Sequence, residues 1–216
     1  MYLYFFYRSL ARFKAILFPL LVFFIIWMFA CQKPGLPLPP TGASSQYPNV
    51  TETDRGLAIV WFEPIQEGHA LKWSEFNGRM WSNPVIITSG KDYFINWADF
   101  PSIFYNGKNH FAVHWLEKNG NGPYDYVVKV TQSHNRGRSW STPIIPHRDK
   151  KKGEHGFVSF FNINDNKIGL VWLDGRNMLA ESHEIGYGQM TLYSTTLDKD
   201  GGLGKEILLD DRVCEC

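Results

Sequence analysis

The chain has 216 residues, with 22 Lys and Arg against 21 Asp and Glu, and 16% of it is aromatic. A nucleic-acid surface needs a cationic excess on one face, and nothing in this balance suggests one; the only basic run, Lys150-Lys151-Lys152, reads as a solvated loop tip. The aromatic richness favours strands over helices, and the length of the folded part suits one domain.

Residues 1–30 contain Arg8, Arg12 and Lys14 and no acid, and Ala15 to Phe29 carries no charge. A basic segment, an apolar run of about fifteen residues and a small residue before the cut describe a secretory signal. Such a run is short for a membrane span, which needs about 20 apolar residues. Ala30-Cys31 is the small-residue-then-cysteine junction of a lipoprotein signal, so Cys31 is expected to be the lipidated first residue of the mature chain. An uncleaved anchor is the alternative, and both readings export the chain. Residues 31–46 are rich in Pro, Gly and Ser and read as an extended tether. Removing the three basic signal residues leaves 19 Lys and Arg against the 21 acids.

Residues 47–216 repeat. Leu57–Glu63 (LAIVWFE), Phe111–Glu117 (FAVHWLE) and Ile168–Asp174 (IGLVWLD) each end in Trp, an apolar residue and a carboxylate. A turn precedes each run, and before each turn lies a short strand containing Pro48-Asn49-Val50, Phe100-Pro101-Ser102-Ile103 or Phe157-Val158-Ser159-Phe160. That is a hairpin repeated three times. The second halves also align through Ser-x-x-x-Gly-x-x-Trp-Ser-x-Pro, at Ser74, Gly78, Trp81, Ser82, Pro84 and at Ser133, Gly137, Trp140, Ser141, Pro143. The third copy, Met190–Leu209, lacks the Trp. Four short strands in about 55 residues predict an all-β chain of β-propeller blades.

Ser133-His134-Asn135-Arg136-Gly137-Arg138-Ser139-Trp140 resembles the Asp-box (BNR repeat) hairpin of the sialidase, or neuraminidase, superfamily, with Asn135 in place of Asp. The first copy has Phe76 there, so its turn must be held otherwise. The resemblance implies a six-bladed sialidase-like propeller of which about three blades are present, in a bacterial sialidase-like lipoprotein. Three blades do not close a ring, so the chain is expected to be an N-terminal portion; the alternative is a complete small protein with an open sheet array, which would expose an apolar blade face. It also implies a glycan or glycoconjugate ligand and glycosidase chemistry. The alternative is a non-catalytic propeller of the envelope that binds glycan or protein. A membrane contact is expected only through the lipid anchor, no cofactor is expected, and the oligomeric state is left open.

In a propeller the innermost strands converge on the axis, where ligands bind. The repeat places Asn49, Asp99, and Glu154 with His155 there, with His147, Arg148 and Asp149 in a loop on the same face and Asp174 and Arg176 after the third Trp strand. Glycosidases need a proton donor and a second group that attacks or stabilises the cationic centre. Asp99, flanked by Trp97 and Phe100, is the acid/base candidate or else a turn cap; Glu154 and His155 are its catalytic companions or, for His155, a structural histidine. Arg148, Arg176 and Asp174 are the substrate-binding candidates, Arg176 being alternatively a salt-bridge partner of Asp174. The family's first clamp arginine matches Asp99 in Ala98-Asp99-Phe100-Pro101, and its Glu–Tyr pair is implied beyond Cys216. Glu181, His183 and Glu184 read as a solvated loop or a metal cluster, without a recognised ligand spacing. Cys214 and Cys216 read as structural thiols, paired with each other or with other cysteines, or as half a zinc site.

Overall fold

The computed structural model describes residues 35–178 and 188–213. The signal, Cys31, the loop with Glu181, His183 and Glu184, and Cys214 and Cys216 lie outside the described residues. The chain divides into two units, 1–38 and 39–216. In the first, residues 35–38 carry no helix or strand.

The second unit is all-β, with no helix among its described residues. Blade 1 is the antiparallel sheet of β1 (Gln46–Thr53), β2 (Gly56–Pro64), β3 (His69–Phe76) and β4 (Val85–Gly90), paired in chain order. Blade 2 holds β5 (Ser102–Tyr105), β6 (Phe111–Lys118) and β7 (Tyr126–Ser133). Blade 3 holds β8 (His155–Asn164), β9 (Lys167–Asp174), β10 (Met190–Asp198) and β11 (Ile207–Val213). These are three propeller blades. Blade 2 departs from the four-strand expectation: its outer strand shrinks to one bridge, Val130 with Ile144, joined by bonds of 2.9 and 2.8 Å. Pro143 and Pro146 flank that bridge, and neither has an N–H to extend the ladder.

The strand period of two explains both the core and the Trp-x-acid repeat. Ala58, Val60 and Phe62 of β2 meet Phe111, Val113 and Trp115 of β6, closing blade 1 on blade 2. The other face of β6, with Ala112 and Leu116, meets Ile168, Leu170 and Trp172 of β9. Each Trp shares a face with the acid two residues on. The indole N–H groups of Trp61, Trp115 and Trp172 donate to Glu63, Glu117 and Asp174 at 3.1, 3.3 and 2.7 Å. Trp61, Trp115 and Trp172 are wholly buried, each contributing on the order of 4–6 kcal/mol as an upper bound. In blades 1 and 2 a lysine directly opposite the Trp completes the unit, Lys72 with Glu63 at 2.6 Å and Lys129 with Glu117 at 3.1 Å. In blade 3 that position is Tyr193, and Asp174 takes other partners.

The second hairpin closes as its sequence implies. Asn135 Oδ1 accepts the Ser139 amide at 2.9 Å, and Ser133 Oγ accepts the Gly137 amide at 2.7 Å. In the first copy Asn77, next to Phe76, accepts the amides of Arg79 and Met80 at 3.0 and 3.1 Å. The pairing register corrects the equivalence of Ser74 with Ser133. Ser74 lies opposite Ile59, two residues before Trp61; the residue so placed in blade 2 is Thr131, opposite Val113. Ser74 and Thr131 donate to the carbonyls of Ser82 and Ser141 at 2.8 and 2.7 Å, and Thr195 donates likewise to Gly204 at 3.1 Å. The hairpin of blade 2 is therefore two residues longer, and counting back from the Trp matched the wrong serine.

Candidate functional site

The innermost strands β1, β5 and β8 border a pocket of about 620 Å³, lined by Asn49, Ala98, Asp99, Phe100, Ser102, Phe157 and Ser159 among others. Asn49 ties two blades together there, its Oδ1 accepting the Ile103 amide at 3.0 Å. Ser102 Oγ lies 2.7 Å from Nδ1 of His114, a ring that burial holds neutral, with its pKa pushed down to about 3. Both β1 and β8 open with a bulge and a residue in the left-handed region, Tyr47 at φ 50° and Phe157 at φ 51°. Such backbone costs about 1 kcal/mol or more. At Phe157 it accompanies a backbone N–H donated to Asp99 Oδ2 at 2.9 Å. Asp99 is only 4% exposed. Burial raises its pKa to about 7, against the Phe157 hydrogen bond and helped by the negative charge of Glu154. Gly156 is a packing requirement, since a Cβ there would overlap the Asp99 carboxylate.

Beside this pocket the Tyr126 hydroxyl donates to Glu154 at 2.8 Å. Burial and then the charge of Glu154 hold the phenol well above its usual range. His155 follows. Its Nδ1 faces the carbonyls of Gly153 and Tyr126 at 3.1 and 3.3 Å, and its Nε2 faces Asp149 at 3.2 Å and Asp174 at 3.6 Å. Acceptors at both nitrogens require the doubly protonated ring. Burial pulls its pKa down, but the Asp149 hydrogen bond and the Asp174 charge prevail and raise it. His147 stacks on this ring at 3.9 Å and 9°, with Nδ1 at 3.0 Å from Asp149. Burial lowers the pKa of His147 against that hydrogen bond.

His147, Asp149 and His155 each bring a ligand atom within 4.8 Å of the others, a spacing that suits a metal ion. The ring planes are parallel, however, so their in-plane lone pairs do not converge on one point, and the two Asp149 oxygens are divided between the rings. As arranged, the trio is an ion-pair network.

The sequence candidates fall into two groups. Asp99, Glu154 and His155 lie at the pocket or immediately beside it. Arg176 shares Asp174 with His155 but is fully engaged by its neighbours: it forks onto Asp174 at 2.8 and 2.6 Å, reaches Glu206 at 3.3 Å and Asp149 at 3.9 Å, and lies 3.9 Å over the ring of Tyr193. This is the salt-bridge alternative, with Arg176 filling the place that lysine holds in the other blades. Arg148 donates from its side chain to the carbonyls of Leu203 and Gly204 at 3.2 and 2.8 Å. Tyr126, Ser102 with His114, and Glu206 were not singled out from sequence. Tyr126 reads there as one more apolar strand residue, and Glu206 stands 30 positions from Arg176 with no local signal.

No protein-family model matches the chain, and no curated protein sequence does. Among solved structures it is similar to the catalytic domain of a GH62 α-L-arabinofuranosidase of Coprinopsis cinerea, at 12% identity and TM-score 0.43, over 78% of this chain and 51% of that one. A GH93 α-L-arabinofuranosidase of Fusarium graminearum in complex with arabinobiose matches at 14% identity and TM-score 0.46, over 76% and 48%. A thermostable family-43 glycoside hydrolase matches at 13% and 0.48, over 82% and 56%. The chain spans about half the length of these structures.

Proposed function

We propose that the axial pocket takes a terminal sugar and that the protein is a glycoside hydrolase of extracytoplasmic glycans, tethered by a lipid on Cys31. The observation that carries this reading is Asp99, a buried carboxyl at the wall of the pocket, whose pKa burial raises to about 7. Asp99 donates its proton to the leaving glycosidic oxygen as that bond breaks, Glu154 beside the pocket stabilises the positive charge that develops at the sugar, and water adds to the sugar carbon and returns a proton to Asp99. Phe100 and Phe157 supply apolar faces against which a sugar ring packs. In its finer, exo-sialidase form the reading needs a cation for the substrate carboxylate. No Lys or Arg is among the residues that line the pocket, so a neutral sugar suits this lining better. The test is a panel of 4-methylumbelliferyl glycosides, sialoside included, with the full protein. Release from one of them, lost in Asp99→Asn, is expected; no release from any would overturn the proposal. Incorporation of labelled palmitate that Cys31→Ser abolishes is the expected result for the tether.

The non-catalytic alternative has its own observation. The guanidinium groups of Arg148 and Arg176 are already bonded to neighbouring blade groups, as in a scaffold. Sugar binding by a protein that hydrolyses nothing would decide for it.

A further inference from the structure

The shortened outer strand of blade 2 leaves a groove of about 690 Å³ beside Val127 and Lys129 of β7, walled by Ile145, His147, Arg148, Lys150 and Lys151. Five of its lining residues, Lys118, Lys129, Arg148, Lys150 and Lys151, are cations, and its one carboxylate is Glu117. Glu117 is already paired with Lys129 at 3.1 Å and accepts the Trp115 indole. Among the described residues no carboxylate forms an ion pair with Lys118, Arg148, Lys150 or Lys151. Arg148 and Lys151 reach only backbone carbonyls, Lys151 that of Arg176 at 3.0 Å. The neighbouring acids bond the groove's backbone and not its cationic side chains: Glu206 accepts the Arg148 amide at 2.7 Å and pairs with Arg176 at 3.3 Å, and Asp149 accepts the Lys151 amide at 3.2 Å and faces His147 and His155. The whole chain carries a net charge of only +1, so this is a local concentration of charge and not a reflection of composition. One lining side chain is also unsatisfied: His147 is buried, and its Nε2 has no partner.

We propose that this groove is an anion-binding subsite for an acidic saccharide, one bearing a carboxylate or a sulfate. The cations take the charged group, while Val127 and Ile145 offer apolar contact to the sugar ring. The saccharide part rests on the glycan reading above; the anion part rests on the groove alone. It also gives the Lys150-Lys151 run a function, and it places the cations for an acidic sugar on blade 2 instead of at the axis.

The experiment is calorimetric titration of the full protein with a glucuronate-containing disaccharide, its neutral counterpart and inorganic sulfate, at low and high salt. The acidic disaccharide is expected to bind at least ~10-fold more tightly than the neutral one, and to weaken as salt screens the cations. Lys118→Gln combined with Lys150→Gln, both exposed side chains, is expected to lose ~10-fold in that affinity with an unchanged melting temperature. Equal binding of the neutral sugar, or an unaffected double variant, overturns the subsite. Sulfate binding as tightly as the acidic disaccharide overturns the saccharide assignment. Asp99→Asn leaves this titration unchanged while removing the proposed hydrolysis, so the two proposals fail separately.

Discussion

Asp99 couples activity to stability through one carboxyl. Its pKa is raised from the ordinary 3.8 to about 7, so the folded protein binds a proton that the unfolded chain has released between those values. The stability it contributes is full below pH 3.8 and is lost as pH rises through about 7. Asp99→Asn is therefore expected to raise the melting temperature at pH 8 while abolishing glycoside hydrolysis. In the wild type, kcat/KM is expected to fall above about pH 7 as the acid form disappears. Gly156→Ala should displace the Asp99 carboxylate; a loss of activity of ~100-fold with the fold retained is the expected result, and near-wild-type kinetics would contradict the role of Asp99. At His155 the sign runs through two kinds of group. Its own raised pKa gives stability below 6.5 that is lost as pH rises through the folded value, and the depressed Asp149 and Asp174 give stability above 3.8 that is lost in acid. His155→Gln should lower the melting temperature more at pH 5.5 than at pH 9.

The hairpin elements show which local patterns carry structural meaning. The Trp-x-acid repeat is legible because a strand places residues two apart on one face, so a buried indole N–H finds its acceptor without help from the rest of the fold. The Ser-x-x-x-Gly-x-x-Trp repeat misled at Ser74, because turn length is not visible in a count from the Trp. Gly137 occupies a position that requires glycine. It has φ 72°, and a Cβ on it would collide with the Trp73 ring of blade 1. Gly137→Ala is expected to cost about 2 kcal/mol or more, from the positive φ together with overpacking, as read by urea unfolding. Asn135→Asp should be tolerated, since the acceptor of the Ser139 amide is kept.

At the scale of the molecule, blades 1 and 2 are joined by apolar faces, by Asn49 and by the buried guanidinium of Arg136. Arg136 forks onto Glu75 of blade 1 at 2.8 and 2.6 Å, reaches Asp54 at 2.6 Å, and bonds Asn109 of its own blade at 3.0 Å. Removing the cation leaves Glu75 buried without its partner, which typically costs about 3–5 kcal/mol. Arg136→Met is expected to show that loss in chemical denaturation, and Arg136→Met with Glu75→Leu should recover much of it. An Arg136→Met protein as stable as the wild type would mean that the blades do not depend on this link.

Most of the strands and their order were legible in the amino-acid sequence, because period-two burial acts over a few neighbouring residues; the missing outer strand of blade 2 and the length of its hairpin were not. The tertiary structure alone decided who partners whom across blades. Arg176 is held by Glu206, Tyr126 by Glu154, and Arg136 by Glu75, 61 positions away. It also decided that prolines around Ile144 would open a cationic groove. Long-range pairing depends on how the blades stack, and no local spacing encodes that geometry.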